Sequence, residues 1–318
     1  MKILVLRGGA LGDFVVTLPA LGLLRKRWPH AWIELAGNPS AARLGLCRGY
    51  LDAVHPQHEA RWSRLGADQP YALRVDEPFA SWLASFELVI NYWPDPDGAI
   101  ARDFGMLGFL GSGSRIFVSH PAKPVTAPAA AHFCEALRPL GLATNDFESR
   151  LFPTAADRAA AGARLSLAGG RCIAWHPGSG SPGKTWPVQR WLNVIRELAA
   201  DHLERRLVVI LGQAEAHLEA NEKRKDDLPA HTTMLAGDPP EVLAAIFELC
   251  SLFLGHDTGP AHIAAAVGCR CVLVFGPTDP AMWAPPGPGI QALRHGDRVD
   301  DVSVPEVLAA ARRALGEH

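Results

Sequence analysis

The stretch KILVLRGGALGDFVVTLPAL, residues 2–21, decides the fold class of this 318-residue chain. An apolar run, a glycine-rich turn and a second apolar segment predict a β-strand, a tight turn and an α-helix in succession. The runs AWIELAG, DAVHP, LVINYW and SRIFVSH read as further strands, with helical segments between them. Short apolar strands that alternate with helices are typical of βαβ units, which build a parallel sheet covered on both faces.

A second series of the same kind follows a segment rich in proline and alanine at 121–160. The runs RCIAWHPG, RRLVVILG, TTMLAG, SLFLGHD and RCVLVFGP predict its strands, and SVPEVLAAARRALGEH predicts a last helix capped by Ser303. The sequence therefore predicts an α/β protein with two doubly wound, Rossmann-like domains, at 1–160 and 161–302, and a last helix at 303–318. Ligands of such sheets bind outside the carboxyl ends of the strands, so we expect the site in a cleft between the domains.

Composition argues against several classes of protein. The formal net charge of −2 argues against a nucleic-acid partner, which normally requires a basic face. The first apolar run has four residues before Arg7, which is too short for a signal peptide, and no run approaches the roughly 18 apolar residues of a membrane span. We therefore expect a cytoplasmic protein. The six dispersed cysteines read as small buried hydrophobic residues, and the sequence predicts no metal site.

The glycine-rich turn RGGALGDFV, residues 7–15, does not fit the usual nucleotide fingerprints. A dinucleotide-binding turn needs G-x-G-x-x-G, and in the register that fits Gly9 and Gly12 the first glycine is replaced by Arg7. A P-loop is excluded because no Gly-Lys-Ser/Thr follows. The turn instead presents Asp13 at a helix N-terminus, where it is either a helix cap or a carboxylate base that activates an acceptor hydroxyl.

The loop WHPGSGSPGKTWP, residues 175–187, follows a predicted strand and precedes a predicted helix. Its backbone N–H groups and Lys184 could hold a diphosphate, because helix N-termini and lysine side chains both attract anions. The alternative is a polar surface loop without a ligand.

The stretch GHDTGPAHIAAAVG, residues 255–268, places Asp257, Thr258, Gly259 and His262 at a strand-to-helix corner. These residues either cap the helix or form a binding corner for phosphate oxygens. The loop FGPTDPAMWAPPG, residues 275–287, reads as a rigid turn-rich segment after the last predicted strand.

Three motifs in order along residues 2–283 resemble glycosyltransferase family 9, the heptosyltransferases that build the inner core of lipopolysaccharide. The first is KILVLRGGALGD followed by TLPAL, and the second is HPG followed by KTWPVQRW. The third is DTGPAHIAAAVG followed by FGPTDP. Any one motif is weak alone, while the three in order resemble the family over essentially the whole chain.

The resemblance implies a GT-B fold, with two Rossmann-like domains that face a cleft and a last helix that crosses back to the N-terminal domain. It implies an inverting, metal-independent transfer from a nucleotide sugar, typically ADP-heptose, with no further cofactor. Asp13 matches the general base of the family and Lys184 the lysine on the donor diphosphate. Glu215 matches an acidic residue on the adenosine ribose. The residues expected to bind the donor are Gly12, Gly178, Ser179, Glu215, Asp257, Thr258, Gly259 and His262.

The acceptor implied by the resemblance is an anionic glycolipid, with peripheral contact at the inner face of the cytoplasmic membrane. Candidate acceptor residues, or alternatively scattered solvated charges, are Arg61, Arg64, Arg102, Arg115 and Lys123. Other functions remain open at the level of sequence: a family member with a different nucleotide sugar or a non-lipopolysaccharide acceptor, an NAD(P)-dependent oxidoreductase, or a catalytically silent homologue.

Overall fold

The computed structural model describes residues 1–67, 77–109, 114–165, 171–212 and 228–316. The chain divides into two units, Met1–Phe147 and Glu148–His318. This division precedes the boundary expected between 160 and 161, because the helix Ala155–Leu165 packs against the helix Pro240–Glu248 of the second unit. The proline- and alanine-rich segment is therefore shared between the units.

The first unit has one sheet of five parallel strands in the order β3-β2-β1-β4-β5. The central strand β1 is buried on both faces, and the side chains of Ile3, Leu4, Val5 and Leu6 are fully buried. A central parallel strand is expected to be apolar throughout, because helices cover both faces of the sheet. The strands are β1 (Lys2–Arg7), β2 (Trp32–Gly37), β3 (Ala53–Pro56), β4 (Leu88–Asn91) and β5 (Ile116–Ser119).

Six α-helices are described in the first unit, and the first two follow β1 almost without a break. They are α1 (Leu11–Val15), α2 (Leu18–Arg27), α3 (Pro39–Ala42), α4 (Glu77–Ala84), α5 (Ala99–Met106) and α6 (Ala129–Glu135). Helices α2 and α6 pack together, and both carry buried side chains.

The second unit has one sheet of six parallel strands in the order β11-β10-β9-β6-β7-β8. Five of these strands are predicted from the sequence, and β11 is not. The strands are β6 (Cys172–Trp175), β7 (Arg206–Leu211), β8 (Thr232–Ala236), β9 (Cys250–His256), β10 (Cys271–Val274) and β11 (Ile290–Leu293). Strands β6 and β9 are neighbours, so the loops after them meet at one edge of the sheet.

The α-helices described in the second unit are α7 (Ala155–Leu165), α8 (Val188–Asp201), α9 (Pro240–Glu248), α10 (Gly259–Ala266), α11 (Pro280–Trp283) and α12 (Val304–Leu315). Ser303 caps α12 in a capping box with Glu306, as the sequence predicts. Helix α12 packs against α8, β9 and β10, and its Val307 and Ala311 lie in the core of this unit. The last helix thus packs within the second unit.

The core of the second unit is built around three buried tryptophans, Trp175, Trp186 and Trp191. The rings of Trp186 and Trp191 meet edge to face, with centroids 4.8 Å apart, an arrangement that aromatic pairs favour. Trp186 also donates its indole N–H to the carbonyl of Val302, 3.0 Å away. This packing fixes the segment between Lys184 and α8.

Five of the six cysteines are buried, as expected, and Cys47 is exposed. Within the described ranges, no helix has both the length and the apolar character needed to cross a bilayer.

Candidate functional site

Asp13 lies at the start of α1, immediately after the carboxyl end of β1, and its side chain is held on both oxygens. Oδ1 accepts a hydrogen bond from the Arg7 guanidinium at 3.1 Å, and Oδ2 accepts one from the Ala10 backbone N–H at 2.8 Å. The side chain remains 34% exposed. Asp13 is therefore both a cap of α1 and an accessible carboxylate, so the two readings of the sequence are compatible.

The glycine turn brings the backbone unusually close to Asp13. Gly9 has a φ of +106°, which only glycine adopts without strain, and a Cβ at this position would lie 2.6 Å from the Asp13 side chain. Gly12 lies in the first turn of α1 next to Asp13. The glycines thus serve to place the carboxylate, which explains their departure from a dinucleotide fingerprint.

Arg7, which the sequence analysis treats only as a misfit in a glycine motif, positions Asp13. Its guanidinium is 7% exposed, donates from Nε to the Thr17 hydroxyl at 3.2 Å, and stacks 4.4 Å from the centre of the Phe133 ring. Burial lowers the pKa of Arg7, and the neighbouring Asp13 carboxylate opposes that shift. Arginine keeps its charge in proteins, so Asp13 faces a fixed, buried cation.

In the second unit, Lys184, Asp257 and His262 come together although 73 residues separate the lysine from the aspartate. The Lys184 ammonium donates to Asp257 Oδ2 at 2.9 Å, and His262 Nε2 lies 3.7 Å from Asp257 Oδ1. Asp257 and His262 are almost completely buried, while Lys184 is 30% exposed. The lysine is therefore the member of this cluster that a ligand can reach.

Asp257 is ionised in this cluster. Burial by itself would raise the pKa of Asp257, but the hydrogen bonds and positive charge supplied by His262 and Lys184 outweigh it, and the pKa lies below its ordinary value. A buried carboxylate is stable only when it is paired in this way. Asp257 thus fixes the position of Lys184.

The N-terminus of α10 opens next to this cluster. Thr258 is the N-cap residue in an extended conformation, and it makes no side-chain cap within the described chain. The N–H groups of Gly259 and Ala261 in the first turn lack intrahelical acceptors, and Pro260 has no N–H. Free N–H groups and the helix dipole favour an anion at this point.

His256, the last residue of β9, is the residue that the sequence analysis missed in this unit. Its Nε2 accepts the Trp186 backbone N–H at 2.9 Å, and its Nδ1–H donates to the Gly178 carbonyl at 3.0 Å. Burial lowers the pKa of His256 to about 3, so the ring is neutral at physiological pH. His256 therefore clamps both ends of the loop that carries Lys184.

The loop itself is closed by short hydrogen bonds. Ser179 Oγ bonds to the Ser181 carbonyl at 2.6 Å and to the Thr185 hydroxyl at 2.7 Å. The hydroxyl of Ser179 is thus used within the loop, and Gly178 contributes its carbonyl to the His256 clamp. These residues shape the loop around Lys184. Glu215 lies outside the described residues.

The five basic candidates for acceptor binding do not converge. Arg115 directly precedes β5, at the edge of the sheet opposite to Asp13, and donates to the Leu107 carbonyl. Arg61 pairs with Glu59 and stacks over Trp62 and Trp82. The remaining three, Arg64, Arg102 and Lys123, are exposed. Lys123 lines an open cavity of about 470 Å³ with Trp93 and His120, at the carboxyl ends of β4 and β5.

Comparison with known proteins identifies a family and relatives to which this chain is similar. The family model described as "Glycosyltransferase family 9 (heptosyltransferase)" matches residues 118–303 of this chain. Lipopolysaccharide heptosyltransferase 3 of Escherichia coli is 47% identical over 105 residues, which are 32% of this chain and 30% of that protein. The match to this curated relative thus spans less than a third of its length.

Two solved structures resemble the whole chain. A glycosyltransferase family 9 protein from Veillonella parvula DSM 2008 has a TM-score of 0.78 at 20% identity, and the similarity covers 100% of this chain and 98% of that one. ADP-heptose lipopolysaccharide heptosyltransferase II of E. coli has a TM-score of 0.71 at 17% identity, with 99% and 98% covered.

Two parallel α/β sheets and this likeness over the whole chain show the GT-B fold, as the resemblance implies. The chain belongs to glycosyltransferase family 9, the heptosyltransferase family.

Proposed function

We propose that this protein transfers a heptose from ADP-heptose to an anionic acceptor of the lipopolysaccharide inner core, with inversion at the anomeric carbon and without a metal ion in the transfer step. The observation that carries the proposal is the cluster of Lys184, Asp257 and His262 beside the open end of α10. Membership of the heptosyltransferase family and the names of its relatives support the choice of sugar.

The donor diphosphate fits the second unit because positive charge and free N–H groups coincide there. Lys184 is the exposed cation, and the first turn of α10 adds the N–H groups of Gly259 and Ala261. Both would stabilise the charge that builds up on the diphosphate as it leaves. A lysine and a helix N-terminus can thereby supply the stabilisation for which other transferases use a divalent cation.

Asp13 is proposed as the base that takes the proton of the acceptor hydroxyl. The hydroxyl oxygen forms its bond to the anomeric carbon as the bond to the diphosphate oxygen breaks, and ADP leaves with that electron pair. Arg7 and the Ala10 N–H each use one lone pair of the Asp13 carboxylate, so lone pairs remain for the incoming proton. One-third exposure of the side chain makes it reachable by a substrate.

The acceptor is proposed to be an anionic glycolipid, reached from the cytoplasm with peripheral contact at the inner face of the membrane. The name of the Escherichia coli relative, lipopolysaccharide heptosyltransferase 3, supports this class of acceptor. The second candidate is transfer of another sugar, or transfer to a glycan or protein. A panel of nucleotide sugars separates these cases, since the true donor raises the melting temperature by mass action and releases its nucleotide only with the acceptor.

The assignment of roles is tested with the variants Lys184→Met and Asp13→Asn, and with Lys26→Met as the control for loss of an exposed lysine. We expect Lys184→Met to raise the donor KM and lower kcat. We expect Asp13→Asn to lower kcat by roughly 10²- to 10⁴-fold while donor binding is kept. Wild-type turnover in Asp13→Asn would remove the base, and a donor KM unchanged in Lys184→Met would remove the diphosphate site.

Metal independence is tested at the donor. We expect the initial rate of ADP release to be the same without an added metal and with added Mg²⁺ or Mn²⁺. A rate that requires added Mg²⁺ would contradict a transfer step based on Lys184 and the helix end.

A further inference from the structure

Two histidines and a glutamate of the first unit, His120, His132 and Glu135, lie outside the clusters described above. His120 directly follows β5, and His132 and Glu135 are separated by one turn of α6, so they share a face of that helix. One nitrogen or oxygen from each of the three side chains lies within 4.8 Å of the other two. The imidazole centroids of His120 and His132 are 4.3 Å apart.

Each histidine keeps one buried nitrogen without a hydrogen-bond partner among the described residues. His132 is fully buried and uses its Nε2–H to donate to the Pro121 carbonyl at 2.8 Å, which leaves the lone pair of Nδ1 unused. Nε2 of His120 is likewise buried without a partner. Buried polar atoms are normally satisfied, and an unmet one indicates an ion or water that completes the site.

We propose that His120, His132 and Glu135 bind one divalent transition-metal ion of the zinc class. Neutral imidazole nitrogens and a carboxylate oxygen are ligands that Zn²⁺, Co²⁺ and Fe²⁺ accept in proteins. Tetrahedral zinc ligands are roughly 3.4 Å apart, given bonds of about 2.1 Å, so the ligand atoms, which lie within 4.8 Å of one another, close by up to about 1.4 Å around the ion. Glu135 has oxygen lone pairs available besides the one that accepts from Thr126 at 3.1 Å.

Solvent can deliver the ion and occupy a remaining coordination position. His120 and Pro121 line the open cavity of about 470 Å³ at the carboxyl ends of β4 and β5. Two imidazoles and one carboxylate leave a position for water or for an oxygen of a ligand in that cavity. The site is thus connected to solvent although His132 is buried.

The ion would link α6 to β5 and so support the residues around Asp13. Phe133, the neighbour of His132, stacks beneath the Arg7 guanidinium, and its carbonyl accepts the Tyr92 hydroxyl at 2.7 Å. Arg7 in turn binds Asp13. The metal would therefore position Asp13 through Phe133 and Arg7.

Metal binding is measured on the full chain after chelator treatment and desalting, with Zn²⁺ and Co²⁺ as probes. We expect one equivalent of Zn²⁺ to be retained by elemental analysis, and a higher melting temperature with Zn²⁺ than without it. Co²⁺ in the same site should give the visible absorption of a low-coordinate nitrogen and oxygen complex. These readouts do not depend on transfer activity, so they stand even if the proposed donor or acceptor is wrong.

The variants His120→Asn and Glu135→Gln are expected to weaken Zn²⁺ binding by at least about 100-fold and to abolish the Co²⁺ spectrum. Circular dichroism of the metal-free proteins checks that both variants fold. His295→Asn is the matched control, because His295 also pairs with a carboxylate, that of Glu306, at the surface of the other unit. Retention of Zn²⁺ by both ligand variants, or no retention by the wild type, overturns the proposal.

Discussion

We expect the folded protein to lose stability in mild acid because of the buried ring of His256. The ring is fully buried, and its two nitrogens hold the Gly178 carbonyl and the Trp186 N–H. Burial lowers the pKa of His256 from its ordinary 6.5 to about 3 in the folded state. The unfolded chain therefore binds a proton below about pH 6.5 that the folded chain does not bind, so stability is complete above this pH and falls as the pH drops.

The size of the effect follows from the two pKa values. Each pH unit below the unfolded value removes about 1.4 kcal/mol, so at about pH 5 the single ring destabilises the fold by about 2 kcal/mol. At this pH the figure depends almost entirely on the unfolded-state pKa, because the folded-state value lies well below pH 5. Protonation of Nε2 would also break the hydrogen bond that this nitrogen accepts from the Trp186 N–H. This hydrogen bond holds one end of the loop that carries Lys184.

The assay is urea unfolding of the wild type and of His256→Gln at about pH 7 and about pH 5. The variant is expected to be less stable at pH 7, because the clamp is lost. The difference from the wild type should shrink by about 2 kcal/mol at pH 5, since glutamine does not titrate. His30→Gln, at an exposed position of the other unit, controls for the loss of one histidine. A difference between the wild type and His256→Gln that is the same at both pH values would refute the reasoning.

Two further substitutions test the neighbouring pairs. In Arg7→Lys the single ammonium cannot bind Thr17 and Asp13 at once. We therefore expect kcat of the proposed transfer, measured by steady-state kinetics, to fall at least about tenfold while the donor KM is unchanged. A donor KM that rises as much as kcat falls would argue against a positioning role. Asp257→Asn removes a carboxylate whose pKa is lowered in the folded state. We expect this carboxylate to contribute about 2 kcal/mol to the free energy of unfolding at neutral pH. The contribution is lost as the pH falls below about 4 and through the folded-state pKa. Urea unfolding across this range checks it, and a difference that persists at the lowest pH would contradict it.

The sequence predicts most strands because their apolar runs are continuous, as buried parallel strands require. It does not predict β11, Ile290–Leu293, whose residues are only partly buried and follow a glycine- and proline-rich loop. The domain boundary is displaced for a different reason. The composition of the helix Ala155–Leu165 does not indicate the unit to which it belongs. Its packing against Pro240–Glu248 assigns it to the second unit.

For the candidate site, too, local sequence patterns predict some features, while others depend on contacts between residues far apart in the chain. Asp13 and the corner at Asp257 stand out because polar residues follow apolar strands and precede helices. The bond between Lys184 and Asp257 depends on the order of the sheet, which no local pattern contains. Resemblance to the family suggests that these two residues act together, while the structure shows the contact.

Four residues on which the site and the proposals depend were missed, because each resembles something ordinary. His256 ends an apolar run and reads as the last residue of a strand, although the Trp186 N–H and Gly178 carbonyl require an imidazole with one acceptor and one donor. Arg7 reads as an interruption of a glycine motif. His120 and His132 lie in or beside a segment rich in proline and alanine, and only the fold brings their rings together.

The order of strands in the second sheet also determines when the contact between Lys184 and Asp257 can form during synthesis. Strand β6 and the lysine loop are made early, but their neighbour β9 is made only after β7 and β8. A nascent chain that ends before His256 therefore carries Lys184 without the clamp that shapes its loop and without the carboxylate that pairs with it. Domains tend to fold as units as they leave the ribosome, and this connectivity means that Lys184 is exposed as an unpaired cation until the last third of the unit emerges.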